Sequence, residues 1–402
     1  MNLQLFHKKK DYVLMHRKTP VLLFRMDIID CTILSIDEIY NPLHLPSGIQ
    51  KGGRIQPRLL EKWMKERLMP ENADGYHETM KALGIGNRND LLFKAYGISL
   101  CDTYWFLEKG QKVNWISISP YHHEYDLTSF MKARFFTEPQ IPSASLSPSI
   151  MLSGCRKKSW INENGSFLLY KGSDDPYSMD PIHHWLAGRI AQLLDLHTCH
   201  YEVRVEHDTL ISAVPAFTKE HTDTLSMQSI LSSISSRPYA LSFDSILHTL
   251  QEHGIKDAKK KISDMLLLDY LLMKPDRTLS DMAVLIDACN GSWIDIAPSF
   301  SYSHTLGSLI DEKKLNEYEQ TAKCQLFNAS SLPFESMLPY IDFSEYDLNL
   351  LKQIPIEYGN RLVEFQQVTD ISSQRIEVQY ILLYKRIRAI LKAARMQKNI
   401  SR

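Results

Sequence analysis

The stretch that decides the reading is ISDMLLLDYLLMKPDRTLSDMAVLID, residues Ile262–Asp287. Met265 to Met273 is an apolar run that predicts a buried helix. Pro275 ends it, because proline has no N–H to donate and restricts the residue before it. Asp276 and Arg277 then fall in a loop, and Met282–Ile286 is an apolar run of strand length. A polar loop with two carboxylates, Asp276 and Asp281, therefore lies between a buried helix and a buried strand. Rigidly held loops are where catalytic groups are commonly placed. A solvated helix–strand turn gives the same pattern.

Around this stretch the chain of 402 residues is longer than one compact core usually holds, which predicts two domains or a two-lobed one. Its net charge of −1 argues against a general binder of nucleic acid or membrane surfaces. Cys31, Cys101, Cys155, Cys199, Cys289 and Cys324 are spread evenly with no C-x-x-C pair, as expected of reduced thiols in the cytoplasm. No apolar run reaches the ~18 residues needed to span a bilayer, so no membrane partner is expected.

Upstream, Tyr12–Met26 reads as a β-hairpin and Ile28–Ile39 as further extended structure or a short helix. Leu43–Gly48 reads as a loop. Helices are predicted over Arg58–Arg67, Tyr76–Leu83 and Asn89–Tyr96, with strand-like pieces at Cys101–Leu107 and Val113–Ile118. Thr137–Pro148, rich in Pro and Ser, reads as a linker. Beyond it, the Asn162–Gly165 turn joins Ser159–Ile161 to Ser166–Lys171 in a hairpin. Asp180–Leu194 reads as a helix, with Asp180 as N-cap, Pro181 as first residue and Trp185, Leu186, Ile190, Leu193 and Leu194 as the buried stripe. Strands follow at Tyr201–Val205 and Thr209–Phe217. From Phe243 onward helices dominate, apart from strands at Ala283–Ile286 and Ser292–Ile296. The last helix, Gln374–Arg395, carries Ile376, Tyr380, Leu383 and Ile387 on its apolar face and basic residues on the other.

Two strands, a helix, two strands and then a helical lobe is a protein-kinase-like layout. Several motifs narrow it. Ser153–Trp160 resembles the phosphate-side turn of HipA-like kinases, in the branch with an S-D-G-x-x-x-K-x-W segment. Leu168–Gly172 is similar to the strand that ends in that branch's ATP lysine. Leu267–Arg277 resembles its D-Y-x-x-x-N-x-D-R-H catalytic loop, and Ile296–Ser301 its A-P-x-F-D segment. Leu43–Gly48, Trp63, Leu83–Ile85 and Gly97–Trp105 resemble its N-terminal region. The ordered motifs run over roughly residues 12–307.

The resemblance implies an α+β, two-lobed, HipA-like fold with an N-terminal α+β accessory domain. The expected divisions are 1–145 for the accessory domain, 146–220 for the N-lobe and 221–402 for the helical C-lobe. It implies a serine/threonine protein kinase using ATP and Mg²⁺, with an unidentified protein substrate or partner. Toxin–antitoxin pairing is implied by the wider family only. Phosphoryl transfer needs a cation near the phosphates, a metal held by oxygen ligands and a carboxylate beside the acceptor hydroxyl. Lys171 matches the ATP lysine; a solvated strand-end lysine is the plainer reading. Gly154 lets backbone approach phosphate closely, as any tight-turn glycine does. Lys157 and Lys158 add positive potential, or are merely solvated. Asp276 matches the catalytic aspartate, Arg277 the arginine that holds the loop, and Asp281 the position of a metal-binding asparagine, where a carboxylate is still a hard oxygen ligand.

The departures point the other way. The main metal-binding aspartate aligns with Ser301, a much weaker Mg²⁺ ligand. The glutamate that would pair with Lys171 aligns with His184. The asparagine and histidine around the D-R pair are Lys274 and Thr278. A second reading is therefore a non-catalytic, pseudokinase-type binding module. The first domain shows no helix-turn-helix with a basic face, so nucleic acid is not the expected partner. His122-His123-Glu124 and His183-His184 do not suggest metal, because adjacent side chains point in different directions.

Overall fold

The computed structural model describes residues 8–73, 76–136, 148–152, 154, 156–173, 175–234, 243–327 and 329–400. The linker residues 137–147 and the motif residues Ser153 and Cys155 lie outside them.

The chain begins with a meander of β1 (Lys9–His16), β2 (Thr19–Asp27) and β3 (Thr32–Ile39). After the short pair β4 (Gln50–Lys51) and β5 (Arg54–Ile55), helices α1 (Pro57–Glu66), α2 (Tyr76–Ala82) and α3 (Arg88–Lys94) lead to β6 (Tyr104–Glu108). β6 pairs antiparallel with β1, giving the sheet order β3-β2-β1-β6. Leu14, Phe24, Leu60, Met64, Leu92 and Phe106 fill the core of this unit. Val113–Ile118 is not a strand. Its β-favouring residues form a short helix, α4 (Trp115–Ile118), because the Asn114 side chain accepts the Ser117 N–H at 3.1 Å and caps it. α5 (Leu127–Phe136) closes the unit.

A second sheet has the order β7-β8-β10-β9: β7 (Lys158–Glu163), β8 (Ser166–Lys171), β9 (Glu202–Glu206) and β10 (Thr209–Pro215). Helix α6 (Asp180–Leu194) is inserted between β8 and β9 and packs on β10. Its cap differs from expectation. Met179 is the N-cap, Asp180 and Pro181 are helical, and the capping carboxylate belongs to Asp175, which accepts the N–H groups of Met179 (2.9 Å) and Asp180 (3.0 Å). The helix is also buried on more than one stripe: His183, His184 and Ala187 are as enclosed as Leu186.

The deciding stretch folds as expected. α9 (Ala258–Leu271) follows α7 (Met227–Ile234) and α8 (Phe243–Glu252) and is buried at every residue from Ile262 onward. It stops ahead of Pro275, with Met273 in the left-handed region at φ +49°. β12 (Ala283–Asp287) then runs between β11 (Thr222–Ser226) and β13 (Trp293–Ile296). β11 and the small pair β14 (Cys324–Leu326) and β15 (Ala329–Leu332) are strands not expected from the sequence. After α10 (Glu312–Thr321), α11 (Ile354–Glu364) and α12 (Gln366–Thr369), α13 (Ser373–Ile400) buries Leu383, Ile387 and Ile390 against the α6–α9 core.

The basic residues of α13 do not all take the solvent face. Arg375 is buried over the Tyr177 ring, 3.5 Å from its centroid, and donates to the carbonyls of Gly307 (3.1 Å) and Ile310 (3.0 Å). Arg386 is buried over Tyr270 and donates to its carbonyl at 3.2 Å, fastening α13 to α9. Cations near buried carbonyls and ring faces satisfy groups that α9 and its neighbours otherwise leave unpaired. Among the described residues no helix is long and apolar enough to cross a membrane.

The first unit meets the rest at Asp223 on β11. That carboxylate accepts the Thr103 N–H (2.8 Å) and hydroxyl (2.9 Å) and lies 2.6 Å from His16 Nε2. The Thr224 N–H bonds the Cys101 carbonyl at 2.8 Å. These bonds hold the loop before β6 against the mouth of the cavity described next.

Candidate functional site

The cavity, of about 610 Å³, lies between the β7–β10 sheet, the segment after β13 and the loop before β6. Its floor follows from one turn. Asn164 and Gly165 both have positive φ, +53° and +85°, as a two-residue hairpin loop with the native strand twist requires. The loop pairs Glu163 with Ser166, so Trp160 faces Leu169 and Lys158 faces Lys171. β10 adds Val214 beside Leu169 and Ser212 beside Lys171. Side chains alternate across a sheet. Lys158, Trp160, Leu169, Lys171 and Val214 therefore share the cavity face, while Ile161, Leu168, Tyr170 and Ala213 pack against Met131 and Phe135 behind. Phe217 and Phe300 stack at the cavity edge, 5.9 Å between centroids.

The two ammonium groups are largely withdrawn from water. Burial pushes each down to about 8, and for Lys158 the facing charge of Lys171 adds to the effect. Among the described residues neither has a carboxylate partner within salt-bridge range. Lys171 lies 5.7 Å from the centroid of the Tyr201 ring, and His184 stacks on Tyr201 at 5.0 Å. His184 bonds Ser212 (2.7 Å) and Ser303 (3.0 Å), and burial, then Lys171, holds it neutral with its pKa well below the usual range. It joins the sheet to the segment after β13 and does not pair with Lys171. Gly154 (φ +88°) sits against Lys158: a Cβ there would lie 2.9 Å from the Lys158 ammonium. Lys157 also borders the cavity, and its carbonyl accepts the Gly172 N–H at 2.9 Å.

The carboxylates are engaged elsewhere. Asp281 borders the cavity, but its Oδ2 accepts the Thr278 N–H (3.1 Å) and hydroxyl (2.9 Å) in a capping box. Ser301 stands on the same wall at φ +69°. Asp102 is taken by Arg67 in a two-point pair, with Nη2–Oδ1 at 2.9 Å. Among the described residues no group of three His, Cys, Asp or Glu could hold a metal ion. A small hard cation wants several oxygen ligands, carboxylates foremost. One half-committed carboxylate and a hydroxyl do not fit Mg²⁺.

Asp276 and Arg277 do not border the cavity. Asp276 forms an ion pair with Lys274, and His304 Nδ1 lies 3.5 Å from its other oxygen. Burial opposes its charge, but His304 and Lys274 more than offset this and hold the carboxyl well below the usual range. Its side chain is 44% exposed, so it stays reachable from solvent. Arg156, on the cavity wall, lies 2.7 Å from His304 Nδ1, so Arg156 and His304 stand between the cavity and Asp276. Arg277 is buried and grips Asp269 of α9 at two points (2.8 and 2.7 Å), then donates to the Phe300 carbonyl at 2.6 Å. That one guanidinium ties helix, loop and the segment after β13 together.

Behind His304 lies a further carboxylate the sequence reading had used only as a cap. Asp180 is fully buried; its Oδ1 accepts the His304 N–H at 2.8 Å, and among the described residues its Oδ2 has no hydrogen-bond partner. Burial, then the nearby Asp175 charge, raises its pKa to about 7.

The structure thus gathers Gly154, Lys157, Lys171 and Asp281 around one cavity and leaves Asp276 and Arg277 outside its wall. Lys158, from sequence only a source of positive potential, joins them on the cavity face. The hairpin register was the signal that puts it opposite Lys171: pairing Glu163 with Ser166 fixes every pair behind it.

No protein-family model and no curated protein matches the sequence. Among solved structures, the chain is similar to one of the Shewanella oneidensis toxin–antitoxin system HipA, HipB and its operator DNA. The TM-score is 0.56 at 12% identity, over 94% of this chain and 96% of that one. It is also similar to the Helicobacter pylori proinflammatory kinase CtkA, with a TM-score of 0.48 and 16% identity, over 62% of this chain and 94% of that one. The fold is α+β and HipA-like.

Proposed function

We propose that this HipA-like chain is a nucleotide-binding module in which phosphoryl transfer to a protein hydroxyl is weak or lost. The observation that carries this is the pairing of Asp276 with Lys274 and His304, off the cavity that holds Lys171. A general base works best with a pKa near the operating pH, and the Lys274 ion pair with His304 beside it holds this carboxyl well below the usual range. ATP fits the cavity's chemistry: Lys158 and Lys171 for phosphate charge, Phe217, Phe300, Leu169 and Val214 for a planar base. The Mg²⁺ set is not complete around Asp281. In this reading 1–145 is the accessory unit, 146–220 the upper lobe and 221–402 the helical lobe, and the partner is a protein met in the cytoplasm.

The second reading, an active serine/threonine kinase, is favoured by the survival of Asp276 as a solvent-reachable, ionised carboxylate. Purified protein should show a thermal shift with ATP and no phosphate transfer to itself or to a generic acceptor. Transfer that Asp276→Ala abolishes would establish the second reading instead. Neither a shift nor transfer would remove both.

A further inference from the structure

We infer that the Lys158–Lys171 pair takes the phosphate chain of a nucleoside triphosphate without a divalent cation. This rests on the nucleotide reading above and names how the same cavity handles the charge.

Three observations lead there. The hairpin register pairs the two lysines side by side on the cavity face, and the β10 residue beside Lys171 is Ser212, whose hydroxyl bonds His184. Like charges facing each other in a partly dry cleft repel, and an anion between them turns that repulsion into attraction. Second, Gly154 has no Cβ, so the Lys158 ammonium rests close against it on the cavity wall, where a Cβ would lie 2.9 Å from the ammonium. Third, among the described residues the oxygen ligands for a metal are missing or engaged: Ser301 is neutral, Asp281 caps Thr278, Asp102 holds Arg67, Glu66 lies 3.5 Å from Lys62 and Asp276 holds Lys274. A divalent ion has no carboxylate pair to bridge to, whereas the phosphates have two fixed ammonium groups. The depression of both lysines to about 8 by burial agrees with a pair waiting for an anion.

The inference also separates two sources of one chemistry. A free inorganic triphosphate carries the same anionic chain without the base, so the comparison tells how much the Phe217–Phe300 edge adds.

The test is calorimetric titration of the full chain with ATP and with inorganic tripolyphosphate, each in EDTA and in Mg²⁺. The expected result is ATP binding of equal strength in both conditions. Lys158→Met should weaken it in EDTA by about tenfold or more, the size of a lost hydrogen bond to a charged group. Lys158→Arg should keep it. Methionine removes a poorly solvated charge, so the apo melting temperature of Lys158→Met should not fall; Lys158→Gln serves if the first variant fails to fold. ATP binding only with Mg²⁺ would overturn the inference and leave the nucleotide reading standing. Tripolyphosphate bound in EDTA while ATP is not would support the lysine pair and sink the nucleotide reading. No binding of either anion, or full affinity in Lys158→Met, overturns the inference.

Discussion

Two charged regions of this molecule behave oppositely. On the sheet, Lys158 and Lys171 stand side by side on the cavity face, and among the described residues neither has a carboxylate within salt-bridge range. On the loop after α9, every charge has a mate: Asp276 with Lys274, Arg277 with Asp269, Asp281 with the Thr278 cap. Charge left unmatched in a cleft is a place for a ligand. Charge closed on itself is structure. In an active phosphotransferase both regions would have to stay open, one for phosphate and one for metal and acceptor. Here the first is open and the second is paired within the loop and its neighbours.

The contrast can be broken at its strongest point first. Arg277→Ala strands the fully buried Asp269 carboxylate, and removing one partner of such a pair costs about 3–5 kcal/mol. The expected outcome is a large drop in the denaturant midpoint, whatever happens to binding. A mild effect would mean the loop's charges are not structural.

Next comes the contrast itself. Lys171→Met should lose about tenfold or more of ATP affinity, while Asp276→Ala leaves affinity unchanged. Calorimetry on the two variants side by side reads this directly, and equal losses would erase the distinction.

A smaller effect concerns pH. Asp180 is buried among Asp175, Arg156 and the backbone of His304, with its folded pKa raised to about 7 against an ordinary 3.8. A raised carboxyl pKa contributes stability that is full below pH 3.8 and lost as pH rises through 7. Asp180→Asn keeps the Oδ1 acceptor for His304 and removes the charge. Its gain in melting temperature should be clearly larger at pH 8 than at pH 5. A gain that does not change with pH would show that the carboxylate is relieved by something other than protonation.

The subtlest change would sharpen the contrast by reversing it. Ser301→Asp adds a carboxylate to the cavity wall at a backbone conformation that Asp tolerates better than most residues. Affinity for ATP in EDTA should fall modestly and part of it should return with Mg²⁺, measured as a difference between two titrations.

Much of this was legible in the sequence, for reasons that are local. α9, the turn before it ends and β12 follow from an apolar run, a proline and another apolar run. The β7–β8 hairpin follows from Asn164-Gly165, and with it the facing of Lys158 and Lys171. What escaped was set by contacts far apart in sequence. Nothing in the order of residues says that Lys274 folds back on Asp276, or that Arg156 reaches His304, 148 positions away. Arg375 and Arg386 read as a solvent-facing stripe because helix periodicity cannot see the carbonyls and rings that receive them. Val113–Ile118 misled for the opposite reason: one side-chain cap from Asn114 outweighed the strand preference of its neighbours. The departures at Ser301, His184 and Lys274 were visible as letters; their consequence, a carboxylate already paired with Lys274, needed the geometry.

The most direct single measurement is intact-protein mass spectrometry of the wild-type chain and Asp276→Ala after prolonged incubation with ATP and Mg²⁺, at concentrations where calorimetry shows both to be saturated. The expected result is that both bind nucleotide and both remain unphosphorylated. A phosphate added to the wild type and absent from Asp276→Ala would contradict it, and would mean that Lys274 and His304 release the carboxylate when nucleotide is bound.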